Sequence, residues 1–177
     1  MQVERIIPKT ITYRLVSDKG DDEYNSCMWA RYIFDCDNGR LNINSDAGDY
    51  SYGWGYNEHE DFMHLMSRVN GSYLLNKISS PYVFNIGKSK VKTIENLELY
   101  EADYLGIENR LDSICEEIED IDSLSSEETF FREVERIVPG IDWESVEIVK
   151  EYPYGAKVVV DLFERYIQPK IREDFAS

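Results

Sequence analysis

The sequence is poor in the residues that build metal and redox centres. It has two histidines, His59 and His64, and three cysteines, Cys27, Cys36 and Cys115. The histidines stand five apart, not at the i, i+4 spacing that stacks two imidazoles on one helix face, and neither has a nucleophile or carboxylate at a recognisable spacing. Surface or capping roles are expected for both. The odd number of cysteines, with no CxxC or Cys/His spacing, indicates neither a disulfide framework nor a zinc site, so no cofactor is expected. Positive charge is also scarce: 19 Lys and Arg face 35 Asp and Glu, for a net charge of −16. Such a chain repels phosphate backbones, so direct nucleic-acid binding is not expected, whereas its field steers it toward cationic partners. No apolar run approaches a membrane span, and the N-terminus MQVERIIPKT has no signal-peptide core. A soluble cytoplasmic protein with no membrane partner is the expectation.

What the chain does have is an ordered, aromatic-rich composition, 42% hydrophobic and 13% aromatic. Trp29 to Trp54 organises it. Asn38-Gly39 between two alternating runs is the signal for a two-residue type I′ hairpin, which pairs Asp37 with Arg40, Cys36 with Leu41, Phe34 with Ile43 and Tyr32 with Ser45. A turn at Asp46-Ala47-Gly48-Asp49 leads into a strand with Tyr50, Tyr52, Trp54 and Tyr56 on one face, and Ile11, Tyr13 and Leu15 alternate as a strand before the hairpin. The aromatic face is assigned to the core rather than to base stacking, because stacking aromatics need a basic surround.

Asn57 with Glu60 reads as a capping box that opens a helix with Phe62, Met63, Leu65, Met66 and Val69 inward, stopped by Asn70-Gly71. A second helix spans 72–79 and breaks at Ser80-Pro81; the apolar run 82–86 reads equally as an added strand or a connection. From about Ser89 the pattern turns helical, with Ile107, Leu111, Ile114, Ile118 and Ile121 in alternating steps of four and three, as one long helix or two broken near Gly106. Ser125-Ser126-Glu127-Glu128 opens a further helix, Asp142 caps a short one, and a last helix carrying Val159, Leu162, Phe163, Tyr166 and Ile167 is expected to kink or end at Pro169. The predicted class is α+β: an N-terminal antiparallel sheet of three to four strands with two covering helices over 1–87, then an acidic helical lobe over 88–177, packed together as one compact unit.

That lobe holds most of the charge. Between Glu101 and Glu135 stand thirteen acidic residues and only two basic ones, Arg110 and Arg132. Two readings compete: a solvated helix face, or a surface that presents rows of carboxylates to a basic protein groove in place of phosphates. Surface helices usually interleave Lys at i, i+4, yet Glu108/Asp112, Asp112/Glu116 and Glu116/Asp120 are like-charged pairs. The candidate partner-binding residues are therefore Glu101, Asp103, Glu108, Asp112, Glu116, Glu117, Glu119, Asp120 and Asp122. No catalytic residue is assigned.

Other carboxylates cluster in loops. Asp18, Asp21, Asp22 and Glu23 lack a known metal-loop order, and Asp35-Cys36-Asp37-Asn38-Gly39 resembles the start of a calcium loop but places its glycine one position early, with no bidentate Glu at the required distance. Turn chemistry explains both. The alternative of a small metal-dependent hydrolase would use Asp35, Asp37, Asp46 or Asp49 at the strand ends.

The strand WARYIFD, the hairpin, the strand SDAGDYSYGW and the helix pair EDFMHLMSRV and SYLLNKIS, within residues 29–78, resemble small acidic proteins encoded by phages and prophages of Gram-positive bacteria. The resemblance covers under a third of the chain and carries no catalytic motif. It implies an accessory protein in the host-cell cytoplasm. Proteins of that kind often act against host defences, as inhibitors of CRISPR effectors or restriction enzymes, and the partner it implies is a defence protein with a basic groove. A phage assembly component, using what remains exposed of the 107–121 apolar seam as an oligomer interface, is a third expectation.

Overall fold

Alternation of apolar and polar side chains builds four strands in chain order: β1 (Thr10–Val16), β2 (Trp29–Asp35), β3 (Arg40–Ser45) and β4 (Tyr50–Gly53). They form one antiparallel meander. The computed structural model describes residues 1, 3, 5, 7–55 and 61–175, without the side chains of residues 100, 101, 103 and 104. Tyr32, Phe34, Leu41 and Ile43 are fully buried on one side of the sheet, with Tyr13, Tyr50, Tyr52 and Trp54 packed around them.

The hairpin register differs from the type I′ expectation by two residues. Asp35 pairs with Arg40, Phe34 with Leu41 and Tyr32 with Ile43, which leaves a four-residue connection, Cys36 to Gly39. A type I′ turn needs positive φ at both central residues, but here only Gly39 adopts it, at +57°. Asp35 holds the turn instead, accepting from the Asn38 amide at 3.1 Å and from its side chain at 2.8 Å. A shift of two keeps every side chain on its face, so the core is the one the alternation predicts.

Asp61 caps helix α1 (Phe62–Arg68), its carboxylate accepting from the amides of Met63 and His64. The expected strand end at Tyr56 and the Asn57/Glu60 capping box lie outside the described residues, as does His59. Asn70, expected to stop the first helix, instead starts the next: its side chain accepts from Tyr73 N at 2.8 Å and caps α2 (Gly71–Ile78). Val83–Phe84 (β5) and Lys150–Glu151 (β6) form a small separate ribbon, which makes the 82–86 run a strand.

The acidic half contains α3 (Ile86–Asn96), a π-helical turn (Leu97–Glu101), α4 (Ala102–Leu105), a break at Gly106 with φ +63°, a 3-10 turn (Glu108–Arg110), α5 (Leu111–Glu119) and α6 (Glu127–Ile137). Their core is Leu97, Ile114, Ile118, Phe130, Val134 and Ile137, so the 107–121 seam is spent on internal packing. Ser89 and Thr93, both fully buried, accept from the amides of Val149 and Glu147, and Asn96 donates to the Ser145 carbonyl. This i, i+4, i+7 stripe of polar side chains on α3 satisfies the backbone of the extended segment leading into β6.

The chain ends in α7 (Tyr154–Leu162), a π-helical turn (Phe163–Ile167) and α8 (Gln168–Asp174). Pro169 sits at the second position of α8 and does not end the helix; the wide turn directly before it accommodates a residue that cannot donate its own N–H. Val159, Leu162, Phe163, Ile167 and Ile171 are buried in the sheet's core. The chain therefore divides into Met1–Ser80 with Tyr152–Ser177, and Pro81–Glu151, rather than at 87/88. An amphipathic pattern specifies that a helix buries a face, not which partner covers it, so periodicity alone does not assign the last helix to the sheet.

Gly155 sits in the first turn of α7, where a Cβ would collide with the Ala47 carbonyl and crowd the Tyr50 hydroxyl. Helix propensity alone predicts that Gly155→Ala stabilises by up to about 1 kcal/mol. The close approach reverses the sign: thermal unfolding of Gly155→Ala is expected to show a loss of about 1–3 kcal/mol, typical of overpacking.

Candidate functional site

Charge is divided unevenly between the two units. The Pro81–Glu151 unit has 7 basic and 19 acidic residues, net −12; the other has 12 and 16, net −4. Within the acidic unit, the carboxylates differ in what they touch. On α6, Glu128 pairs with Arg132 and Glu133 with Arg136, while Glu127 pairs with Lys150 of β6 at 2.9 Å. Along α5 the pattern stops: Glu108, Asp112, Glu116, Glu117, Glu119 and Asp120 are all exposed and make no ion pair among the described residues. Asp122, also exposed, accepts from the amide of Leu124 at 2.9 Å and so shapes the turn after α5. The side chains of Glu101 and Asp103 lie outside the described part of the chain.

The arrangement opposes the helix it sits on. Glu116, Glu117, Glu119 and Asp120 crowd the C-terminal end of α5, where the backbone dipole is negative and no basic residue occupies the last turn. Each such charge costs roughly 0.3–1 kcal/mol at low salt. Partial compensation comes from α3: Lys90 Nζ donates to the carbonyls of Glu119, at 2.7 Å, and Ile121, satisfying the orphan acceptors of the helix end.

Two further carboxylates join the ridge. Beyond α5 the surface falls into a groove of about 510 Å³ with Ile121 among its lining residues and Glu117, Asp120, Asp122 and Glu133 on its walls. Glu98, on the π-helical turn, acts with Asp112 and Glu119 on Cys115; burial first, and then these three negative charges, push that thiol above its ordinary range. Neither residue is legible in the α5 sequence, because packing of separate elements brings them there.

The sheet-end aspartates proposed for a metal centre are occupied in turns. Asp35 binds Asn38, Asp37 accepts from Lys9 N at 2.7 Å, and Asp49 accepts from Asn44 at 3.2 Å. Asp46 accepts from Met28 N at 2.9 Å, the Cys27 thiol at 3.1 Å and Trp29 N at 3.3 Å. Burial opposes its ionisation, yet the three donors outweigh it and hold the carboxyl below the usual range. Among the described residues no group of three His, Cys, Asp or Glu side chains is arranged to hold a metal ion. Glu23 of the β1–β2 loop is paired with Arg165 and accepts from Tyr166 Oη at 2.6 Å. His64 is exposed.

Cys115 reports on the ridge. Replacing Asp112 and Glu119 by Asn and Gln is expected to lower its pKa toward the ordinary thiol value and speed its alkylation by iodoacetamide near neutral pH several-fold, because the thiolate reacts. Cys36, outside this acidic unit, is the internal control and keeps its rate.

No helix among the described residues is long and apolar enough to cross a membrane. No curated protein and no solved structure matches the chain. The family model Phage_phiTE_072, described as a phage family, matches residues 1–173, nearly the whole chain. The protein belongs to this phage family.

Proposed function

We propose that this phage protein is a non-enzymatic anti-defence factor that works in the cytoplasm of a Gram-positive host. Its partner is a nucleic-acid-handling protein of the CRISPR-effector or restriction-enzyme kind, and it lays the α5 carboxylates into that partner's basic groove. One observation supports this reading above the others: the stretch 108–120, which contains α5, carries six exposed carboxylates without ion pairs among the described residues, while α6 pairs Glu128 with Arg132 and Glu133 with Arg136. Solubility alone would be served as well by the α6 arrangement, and at less cost to the helix. Rows of carboxylates along a helix present acceptors to Lys and Arg much as a phosphate backbone does. Phage membership fits a protein that acts on a bacterial host.

The test compares the full chain with the triple variant Glu108→Lys, Asp112→Lys, Glu116→Lys. Both are used to capture partners from host lysate at about 0.05 M and about 0.3 M salt, a range over which the screening length shrinks more than twofold. Capture of a nuclease or CRISPR effector that weakens with salt, and falls at least about tenfold in the variant, is expected from lost charge pairs. Recovery of phage structural proteins alone, or capture indifferent to charge reversal, would contradict the reading.

A further inference from the structure

The solvent side of the four-stranded sheet has an electrical character that the whole-chain charge conceals. Strand alternation places Arg14 of β1 and Trp29 and Arg31 of β2 on the side opposite the buried Tyr32 and Phe34, with Asn42 and Asn44 of β3 beside them. Arg14 and Arg31 are directly opposite each other across the β1–β2 ladder. Both are exposed, and neither side chain has a hydrogen bond or ion pair with any described residue. Like charges at directly opposed positions destabilise a ladder. Two arginines at opposed ladder positions, neither paired with a carboxylate among the described residues, offer guanidinium donors to an anionic ligand.

The rest of the face says which anion. Trp29 is 40% exposed, pairs with Val16 two residues along the ladder from Arg14, and lies on the same outward face as the two arginines. Asn44, cross-strand neighbour of Arg31, is held by Asp49 at 3.2 Å, and Asn42 adds a second amide to the same face. Guanidinium groups bind phosphate oxygens in bidentate fashion, an indole ring stacks on a base, and amides reach base edges. The face is open and extended, which suits a polymer laid across strands better than a small molecule enclosed in a pocket. Carboxylates of a second copy's α5 would satisfy the arginines but have no use for Trp29.

We propose that this face binds single-stranded nucleic acid, with neighbouring phosphates on Arg14 and Arg31 and a base stacked on Trp29. The expectation that this chain avoids phosphate rests on its total charge, whereas the unit bearing the face is net −4, and screening over about 8 Å at physiological salt limits what distant carboxylates contribute. The inference is independent of the acidic-ridge reading, since it uses other residues in the other unit.

The experiment titrates the full chain against fluorescein-labelled oligo-dT and oligo-rU of about 12 nucleotides, following anisotropy and tryptophan quenching at low salt. Saturable binding is expected, with log Kd against log salt concentration rising with a slope of about 1.4, the value for two phosphates on a single strand. Arg14→Ala with Arg31→Ala is expected to weaken binding at least about tenfold and flatten that slope, whereas Trp29→Ala weakens it by a similar factor and leaves the slope intact. All three side chains are exposed, so circular dichroism should be unchanged; Arg14→Gln with Arg31→Gln serves as a second pair. The Glu108→Lys, Asp112→Lys, Glu116→Lys variant should bind at least as well as the parent, which keeps this inference separable from the proposed function. Absence of saturable binding, or binding indifferent to both arginine pairs, would overturn it. Salt-sensitive self-association that disappears with the arginines, in a chain that ignores the oligonucleotides, would also overturn it and assign the face to a second copy.

Discussion

Beneath α7 the Tyr32 phenol, fully buried, donates to the Val159 carbonyl at 2.7 Å, and much of the sheet unit depends on the packing this bond marks. Its ring fills the centre of β2 against Phe163, 6.1 Å away between centroids. Without α7 and α8 the inner face of the meander would lose Val159, Leu162, Phe163, Ile167 and Ile171 together. Removing one such side chain from a core costs about 2–5 kcal/mol, so losing the set exceeds the whole stability of an ordinary domain. The same C-terminal helix completes α1: buried Gln168 donates to the Met66 and Val69 carbonyls, and Arg172 donates to Ser67 O at 2.7 Å. A seven-residue helix is marginal alone, and these donors satisfy its otherwise orphaned end.

The second unit solves its packing differently. Buried hydroxyls on α3 and the Lys90 cap on α5 hold segments that hydrophobic contact alone would leave unsatisfied. With these inner surfaces committed, the carboxylates of α5 are left facing outward, concentrated on the unit with net charge −12. The sheet unit carries the reverse feature, two opposed arginines on a body of net charge −4. The molecule is thus electrically divided by element, which a single net charge does not describe.

Much of this was legible in the sequence and some could not have been. The α+β class, the four alternating strands, the break at Gly106 and the helix opened by Ser126 all follow from local chemistry. Hairpin register failed because Asn-Gly can serve a longer connection when a preceding Asp supplies the turn's hydrogen bonds, as Asp35 does. Asn70-Gly71 has the pattern of a helix stop, yet a side chain that accepts from Tyr73 N makes Asn70 a start; Asn and Gly are ambiguous between the two uses. Placement of the last helix on the sheet, the arrival of Glu98 and Glu133 at the acidic ridge, and the opposition of Arg14 and Arg31 depend on tertiary pairing over long sequence separations. Periodicity carries no information about such partners.

Native-state hydrogen exchange measured by mass spectrometry on the full chain tests this division most directly. Amides of β2, β3, α7 and α8 should open together with one free energy, as a single cooperative unit, while α3, α5 and α6 form a separate class. Exchange of α7 and α8 with the acidic helices, or as an independently frayed tail while β2 and β3 stay protected, would contradict the account.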